Sequence, residues 1–486
     1  MSLLNIYGLG FRFPATDDLF RNVSFEVNPQ DKIGLVGRNG AGKTSLMRIL
    51  SGKLEPTEGK IVRRSGLQVE LVEQSAPAPE GTSLLDFVLS AQAEIEAKAR
   101  QVLGGLGFSS QETKLPLSRL SSGQRARAAL ARGLLSGAHV LLLDEPTNHL
   151  DVEAREWLEE FVSGATAACI VVSHDRAFLN GFARRILEID RLRVRQFAGN
   201  YDAYRSRRSL LDRQEWESYE AQQKRIAAAG RASENRAQLA RNVAKAPAGV
   251  RSSRDFYARK ASKVARTARL IRERVSHEPE VAKPWEEAPI PELDFPMVPR
   301  SGDIALSVDR LAKSYGSKHL FSDLTFHLAR GERVALAGPN GSGKTTLLRI
   351  LLGLELADAG RYQFGANVRA GYYAQEGENL DPAQTPLEIC GGHVLARTLL
   401  ACLKLPRDRV VQPVACLSAG ERAKVALTRL LVSGANLLLL DEPTNHLEIE
   451  AQEAVEQTLA QYPGTVLLVS HDRRFLAAIV SRTIRL

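Results

Sequence analysis

No stretch of this 486-residue chain approaches the roughly 18 consecutive apolar residues that a membrane-spanning helix needs. The longest apolar runs, such as Val140–Leu143 and Leu437–Leu440, have the length of buried strands instead. The opening segment MSLLNIYGLGFRFP has no basic stretch leading into an apolar core, so no secretory signal is expected there. Cysteine is scarce. The four present (Cys169, Cys390, Cys402 and Cys416) never fall into C-x-x-C spacing, which argues against a disulfide framework or a metal module. They read as ordinary thiols of a reducing compartment, and a cytoplasmic location is expected.

What is present is ample apolar material, 44% of residues, enough for two or three domains each with its own core. The formal net charge is +9, and its distribution matters more than its total. Between Arg205 and Arg274 there are 19 Lys and Arg against 7 Asp and Glu. That local excess is larger than the charge of the whole chain, so the remainder is slightly acidic. The basicity belongs to one segment and points to a polyanionic partner for it.

The chain repeats itself. GRNGAGKT at Gly37–Thr44 returns as GPNGSGKT at Gly338–Thr345, and Gln74 returns as Gln375, both at an offset of 301. Ser121 and Ser418, Asp144 and Asp441, and His174 and His471 are each 297 apart. Domains are therefore expected at 1–200 and 301–486, joined by a linker at 201–300. In each half, apolar runs (Lys32–Val36 and Arg333–Ala337) lead into Gly-rich loops and then into helical patterns (Ser45–Leu50 and Thr346–Leu352). Alternation of this kind predicts an α/β fold with a largely parallel sheet and ligands at the carboxyl ends of its strands.

The linker differs in its period. Tyr257, Ala261, Val264, Ala268, Ile271 and Val275 step by 4, 3, 4, 3 and 4, a heptad seam. Upstream, Tyr204, Leu211, Tyr219 and Ile226 form a looser stripe on a longer helix, expected to be interrupted near Gly230. KAPAGVRSSR (Lys245–Arg254) separates the two, so the sequence predicts an antiparallel helical hairpin with a basic tip. Glu278–Pro299 is acidic and Pro-rich and is expected to be an extended strap.

A strand, a GxxxxGK[ST] loop and a helix make a P-loop, whose backbone N–H groups and helix N-terminus surround phosphates. Candidate ATP-binding residues are Gly37, Asn39, Gly40, Gly42, Lys43, Thr44 and Ser45. Their counterparts are Gly338, Asn340, Gly341, Gly343, Lys344, Thr345 and Thr346. Lys43 and Lys344 would neutralise the β and γ charges, and Thr44 and Thr345 would ligate Mg²⁺. The runs HVLLLDEPTNHLD and NLLLLDEPTNHLE end buried strands in adjacent carboxylates. Asp144 and Asp441 stand where an outer-sphere Mg²⁺ ligand belongs, and Glu145 and Glu442 where a general base could polarise water. His174 and His471 follow short apolar strands in SHDRAFL and SHDRRFL and are candidates for a γ-phosphate contact.

Together these motifs resemble the ATP-binding cassette (ABC) ATPases, over both terminal domains almost end to end. The resemblance gives meaning to LSSGQ (Leu120–Gln124) and LSAGE (Leu417–Glu421), which look like the ABC signature. In that family the signature opens a helix and contacts the γ-phosphate held by the opposite cassette. Ser121, Gly123 and Gln124 would then cover ATP on the second P-loop, and Ser418, Gly420 and Glu421 would cover ATP on the first. Both copies depart from LSGGQ at the third position, as Ser122 and Ala419, which still offer a backbone N–H. Gln74 and Gln375 resemble the glutamines that sense Mg²⁺ and water. Tyr315 matches the adenine-stacking aromatic, with Phe13 as its counterpart. The resemblance implies a monomer whose two cassettes form an intramolecular head-to-tail sandwich.

Among ABC proteins the chain is most similar to the ABC-F branch of ribosome-associated translation factors and antibiotic-resistance proteins. The carriers are DEPTNHL in both halves and a long basic helical linker between them. In that branch the linker reaches into the ribosome, which implies that Lys245, Arg251, Arg254, Arg259, Lys260 and Lys263 meet rRNA or tRNA phosphates. A solvated hairpin that only spaces the domains is the plain alternative. Only 46 residues lie between Gln74 and Ser121, and 42 in the second copy, which leaves no room for the extra helical arm of some ABC-F factors. The chain also ends shortly after the His471 motif. Both features tilt the reading towards ribosome protection, with a general translation factor close behind. An ATPase subunit of a membrane transporter and a DNA-repair ATPase are the alternatives from other classes.

Overall fold

The computed structural model describes residues 2–14, 17–73, 82–89, 96–148, 150–244, 254–276, 281, 283, 291–295, 297–316, 318–374, 380–445 and 447–486. The leucine- and valine-rich runs stand centrally in two parallel sheets. In the first half the strand order is Val69–Val72, Val140–Asp144, Ala168–Val172, Lys32–Gly37, Arg185–Asp190 and Arg193–Ala198, parallel except for the last. In the second it is Ala370–Tyr373, Leu437–Asp441, Thr465–Val469, Arg333–Ala337 and Arg482–Arg485, all parallel. Every residue of Val140–Asp144, Ala168–Val172, Leu437–Asp441 and Thr465–Val469 is buried. That is the reason these strands carry apolar side chains continuously rather than on alternate positions.

Each half also has an antiparallel three-stranded sheet that the motif reading does not anticipate. Asp18–Val27, Leu4–Arg12 and Glu58–Arg63 form the first, and Lys318–Ala329, Ile304–Tyr315 and Ala359–Phe364 the second. The alternation in DLFRNVSFEV is the sequence signal for such half-buried strands. Leu4, Ile6 and Leu9 of this sheet share one core with Leu46, Ile49 and Leu50 of the helix Lys43–Ser51. The P-loop helix is thus clamped between two sheets, and its N-terminus is fixed.

Two units divide the chain: Met1–Asp202 together with Pro289–Leu486, which contains both cassettes, and Ala203–Ala288. Leu293 and Phe295 are buried in the core of the second cassette, where the Phe295 ring stands edge-on to Tyr462 at 5.4 Å. The Leu293 N–H donates to Gln461 Oε1 at 2.8 Å, and Asn436 Nδ2 donates to the Pro299 carbonyl at 3.0 Å. The end of the Pro-rich segment is therefore part of a folded cassette rather than a free strap, though residues 291–295 have no regular secondary structure.

Two helices, Tyr201–Ala244 and Arg254–Ser276, contain most of the linker. The interruption expected near Gly230 does not occur. The first helix runs unbroken for 44 residues. Alanines at 227–229 and 232 are strong helix formers, and they outweigh the roughly 1 kcal/mol that one interior glycine costs. The expected apolar stripe holds only in part: Tyr204 is buried and Leu211 and Tyr219 are half-buried, but Ile226 is exposed. Buried positions further along are small or polar: Gln222, Ser233 and Ala240. The expected hairpin tip, with Lys245 and Arg251, lies outside the described residues. Arg254 opens the second helix, and Arg259, Lys260 and Lys263 are exposed on it. Among the described residues no helix is long and apolar enough to cross a membrane.

Candidate active sites

Each P-loop ends at a glycine that only glycine suits. Gly42 and Gly343 both have φ of 97° at the helix N-cap. A Cβ at Gly42 would lie 3.1 Å from the Phe20 ring, and one at Gly343 the same distance from Phe321. The helices that follow begin with Lys43 and Lys344, whose ammonium groups turn back into the loop. Lys43 Nζ donates to the carbonyls of Gly37 (2.7 Å) and Arg38 (3.1 Å), and Lys344 Nζ to those of Gly338 (2.7 Å) and Pro339 (2.9 Å). Burial lowers the pKa of both lysines, with carboxylates nearby opposing it. One residue on, Thr44 Oγ1 donates to Asp144 Oδ2 and Thr345 Oγ1 to Asp441 Oδ2, each at 2.7 Å. Burial raises the pKa of both aspartates against that hydrogen bond.

Glu145 and Glu442 have backbone φ of 52° and 51°, left-handed values that cost a non-glycine residue on the order of 1 kcal/mol. Each is held there by its own N–H, which donates at 2.9 Å to the end of the neighbouring strand, at Val172 or Val469. The strain aims both carboxyls inward. The His174 N–H donates to Glu145 Oε2 and the His471 N–H to Glu442 Oε2, each at 3.3 Å. The imidazole Nε2 atoms stand 3.3 and 3.5 Å from the other carboxyl oxygens, which accept no well-aligned hydrogen bond. Burial pushes Glu145 up to about 8 and Glu442 up to about 7, and lowers both histidines to about 3. Burial raises the proton affinity of each carboxylate, and beside a neutral imidazole that suits its ionised form to accept a proton from water.

The two halves meet across these groups. A cavity of about 530 Å³ is lined by Asn39, Lys43 and Thr44 of the first half, by Asp144, Glu145 and His174, and by Ser418, Ala419 and Gly420 of the second. The Asn39 N–H donates to Glu448 Oε1 at 2.7 Å, and the Asn340 N–H to Asp151 Oδ2 at 3.2 Å. Each phosphate loop therefore touches an acid of the opposite half. Ser121 and Ser418 are the N-caps of the helices Ser122–Leu134 and Ala419–Val432, closed by capping boxes with Gln124 and Glu421. Gly123 and Gly420 lie in the first turn, where N–H groups are unsatisfied and the helix end is positive. The copies differ in charge. Glu421 is a carboxylate that accepts from the Ser418 N–H (2.8 Å) and Oγ (2.9 Å), with Arg409 3.6 Å away.

Tyr315 ends its antiparallel strand, 51% exposed, with its hydroxyl bonded to Glu355 and Lys313 5.2 Å over the ring. Phe13 follows the equivalent strand, 44% exposed, and lines the cavity. Gln74 and Gln375 lie outside the described residues.

Residues that the motifs did not single out also line the interface. Arg155, nearly buried, donates from Nε to the Leu150 carbonyl (3.0 Å) and from Nη1 to Asp175 (3.2 Å) and to the His471 carbonyl (3.0 Å). Its charge also favours the ionised form of Glu442. Arg176 pairs with Glu456, Glu453 and Asp472, and Arg473 with Glu159 and Glu156, so each half reaches the other through equivalent positions. The repeat itself held the clue, since an offset of 297 superposes these arginines and acids. It also sets Arg155 on Gln452, an unequal pair between equal motifs.

Two phosphate loops, each bonded to an acid of the other half, the first of them sharing a cavity with the capped helix Ala419–Val432, define a tandem P-loop ATPase of the cassette type. The ABC transporter family profile matches residues 20–148 and 321–445. The ribosome protection protein VmlR of Bacillus subtilis is 34% identical over 475 residues, which cover 94% of this chain and 82% of that protein. The energy-dependent translational throttle protein EttA of Mycobacterium tuberculosis is 32% identical over 504 residues, covering 94% and 86%. Among solved structures, an RNase-L inhibitor shares the fold with a TM-score of 0.66 at 19% identity, over 99% of this chain and 87% of that one. The chain belongs to the ABC family, in its F branch, and it binds and hydrolyses ATP.

Proposed function

We propose that this protein acts on the ribosome, closing its two cassettes over two Mg-ATP while its basic linker contacts rRNA or tRNA. The observation that carries the catalytic part is the reciprocal bonding of Asn39 to Glu448 and Asn340 to Asp151 beside a cavity shared by one P-loop and the opposite signature helix. In this reading Lys43 and Lys344 bind the β and γ phosphates, and Ser121, Gly123 and Gln124, or Ser418, Gly420 and Glu421, cover the γ-phosphate from the other half. Phe13 and Tyr315 stack on adenine. The donor set fits Mg²⁺, since each site pairs a hydroxyl with a carboxylate oxygen, both hard ligands. Thr44 with Asp144 and Gln74, and Thr345 with Asp441 and Gln375, would hold the ion, which offsets phosphate charge when bound. Glu145 and Glu442 accept the proton of the attacking water. His174 and His471, kept neutral by burial, stand against the γ-phosphate.

The ribosomal part is supported by the names of two relatives, one a ribosome protection protein and one a translational throttle. It is also supported by the exposed Arg259, Lys260 and Lys263 within the most basic segment of the chain. Ribosome protection against an antibiotic is the favoured form, with a general translation factor as the second. A monomer is sufficient for either. The test is co-sedimentation of the Glu145→Gln, Glu442→Gln protein with ATP, offered ribosomes, membranes or DNA. Pelleting with ribosomes alone is expected, and pelleting only with membranes or only with DNA would overturn the reading.

A further inference from the structure

The two ATP sites are built from equivalent motifs, yet one cross-brace between the halves has no twin. Arg155 lies one helical turn beyond Asp151, on the helix Val152–Gly164. From there its Nη1 reaches the carbonyl of His471 at 3.0 Å while pairing with Asp175 of its own half. Gln452 occupies the equivalent position of the second half. Its Nε2 turns back to the carbonyls of Thr444 (3.4 Å) and Leu447 (3.2 Å), and its buried Oε1 has no partner. Nothing on Gln452 bonds the carbonyl of His174.

We propose that Arg155 is a positioning residue for the second ATP site, holding the His471 segment against Glu442 from across the interface, while towards the first site it only pairs with Asp175. A guanidinium hydrogen bond to a carbonyl is directional and charge-assisted, and in a nearly dry position it is poorly replaced by water. It therefore fixes the histidine only while the two halves are docked, so turnover at the second site depends on closure through a contact the first site lacks. Asp151 and Arg155 sit on one helix, one touching the second phosphate loop and the other the second histidine segment. The two contacts form and break together.

The inference rests on the reading of Glu145 and Glu442 as the two bases, which allows each site to be observed alone. Glu145→Gln leaves the second site active and Glu442→Gln the first. Adding Arg155→Gln to Glu145→Gln should lower kcat about tenfold, with KM for ATP changed less than about twofold. In the Glu442→Gln protein the same substitution, which there removes only the partner of Asp175, should lower kcat by a clearly smaller factor, and Arg155→Lys should recover part of the loss at the second site. An equal fractional loss in both backgrounds, or none in either, overturns the proposal. Should Arg155→Gln fail to fold, Gln452→Arg in the Glu442→Gln protein carries the test alone. It should raise kcat at the first site about threefold, and an unchanged rate overturns the proposal. Undiminished turnover in the parent Glu145→Gln and Glu442→Gln proteins would instead remove the base assignment, and this inference with it.

Discussion

Glu448 of the second half accepts the backbone N–H of Asn39 in the first phosphate loop at 2.7 Å, and it does so without capping its own helix. Asp151, one methylene shorter, does both jobs. One of its oxygens caps Val152–Gly164 through the Ala154 N–H at 3.0 Å, and the other meets Asn340 at 3.2 Å. Losing a helix cap costs about 1 kcal/mol, so Asp151→Ala should lower the melting temperature about 2–4 °C more than Glu448→Ala. Differential scanning calorimetry of the two single variants decides it, and equal midpoints would contradict the double role.

Both buried glutamates are needed for turnover in the mechanism above. Glu145→Gln with Glu442→Gln should retain ATP, release no phosphate above background and hold the halves closed. Phosphate release at near wild-type rate from the double variant would show that the base lies elsewhere.

The second signature helix presents a carboxylate, Glu421, where the first presents the neutral Gln124. A like charge facing a γ-phosphate costs about 1 kcal/mol even in a watery setting. Glu421→Gln keeps the capping acceptor and removes the charge. In the double Glu→Gln protein it should therefore tighten ATP at the first site about fivefold. Fluorescent-nucleotide titration measures this, and an unchanged affinity would mean that Arg409, 3.6 Å away, already neutralises the acid.

The linker prediction is electrostatic. With about 5 phosphate contacts, ribosome affinity should fall on the order of 100-fold between about 50 and 200 mM salt. Neutralising Arg251, Arg254, Arg259, Lys260 and Lys263 should flatten that slope and abolish pelleting, with ATP affinity intact. Equal pelleting of the wild-type and neutralised proteins would return the linker to a spacer.

The parts legible in the sequence are those where local backbone geometry demands a residue type. Gly42 and Gly343 are needed for a positive φ, and the runs ending in Asp144 and Asp441 for strands buried on both faces. Long-range pairings were hidden. Each antiparallel sheet begins as a local hairpin, but its third strand, Glu58–Arg63 or Ala359–Phe364, arrives from beyond the P-loop helix. Leu293 and Phe295 look like strap residues until Gln461 and Tyr462 are placed beside them. Gly230 misled because a glycine alone does not break a helix flanked by alanines. The Arg155 brace was invisible because only the docked halves bring it to His471.

Arg176 and Arg473 each follow a site histidine by two residues, and each is held by acids of the opposite half. Arg176 has only 5% of its side chain exposed, so withdrawing its loop would part it from all three of its acids at once. Neither histidine segment can swing out alone without tearing pairs that also steady the other. The two histidine segments are therefore joined as in a conjunction gate, since displacing either one breaks pairs with the other half.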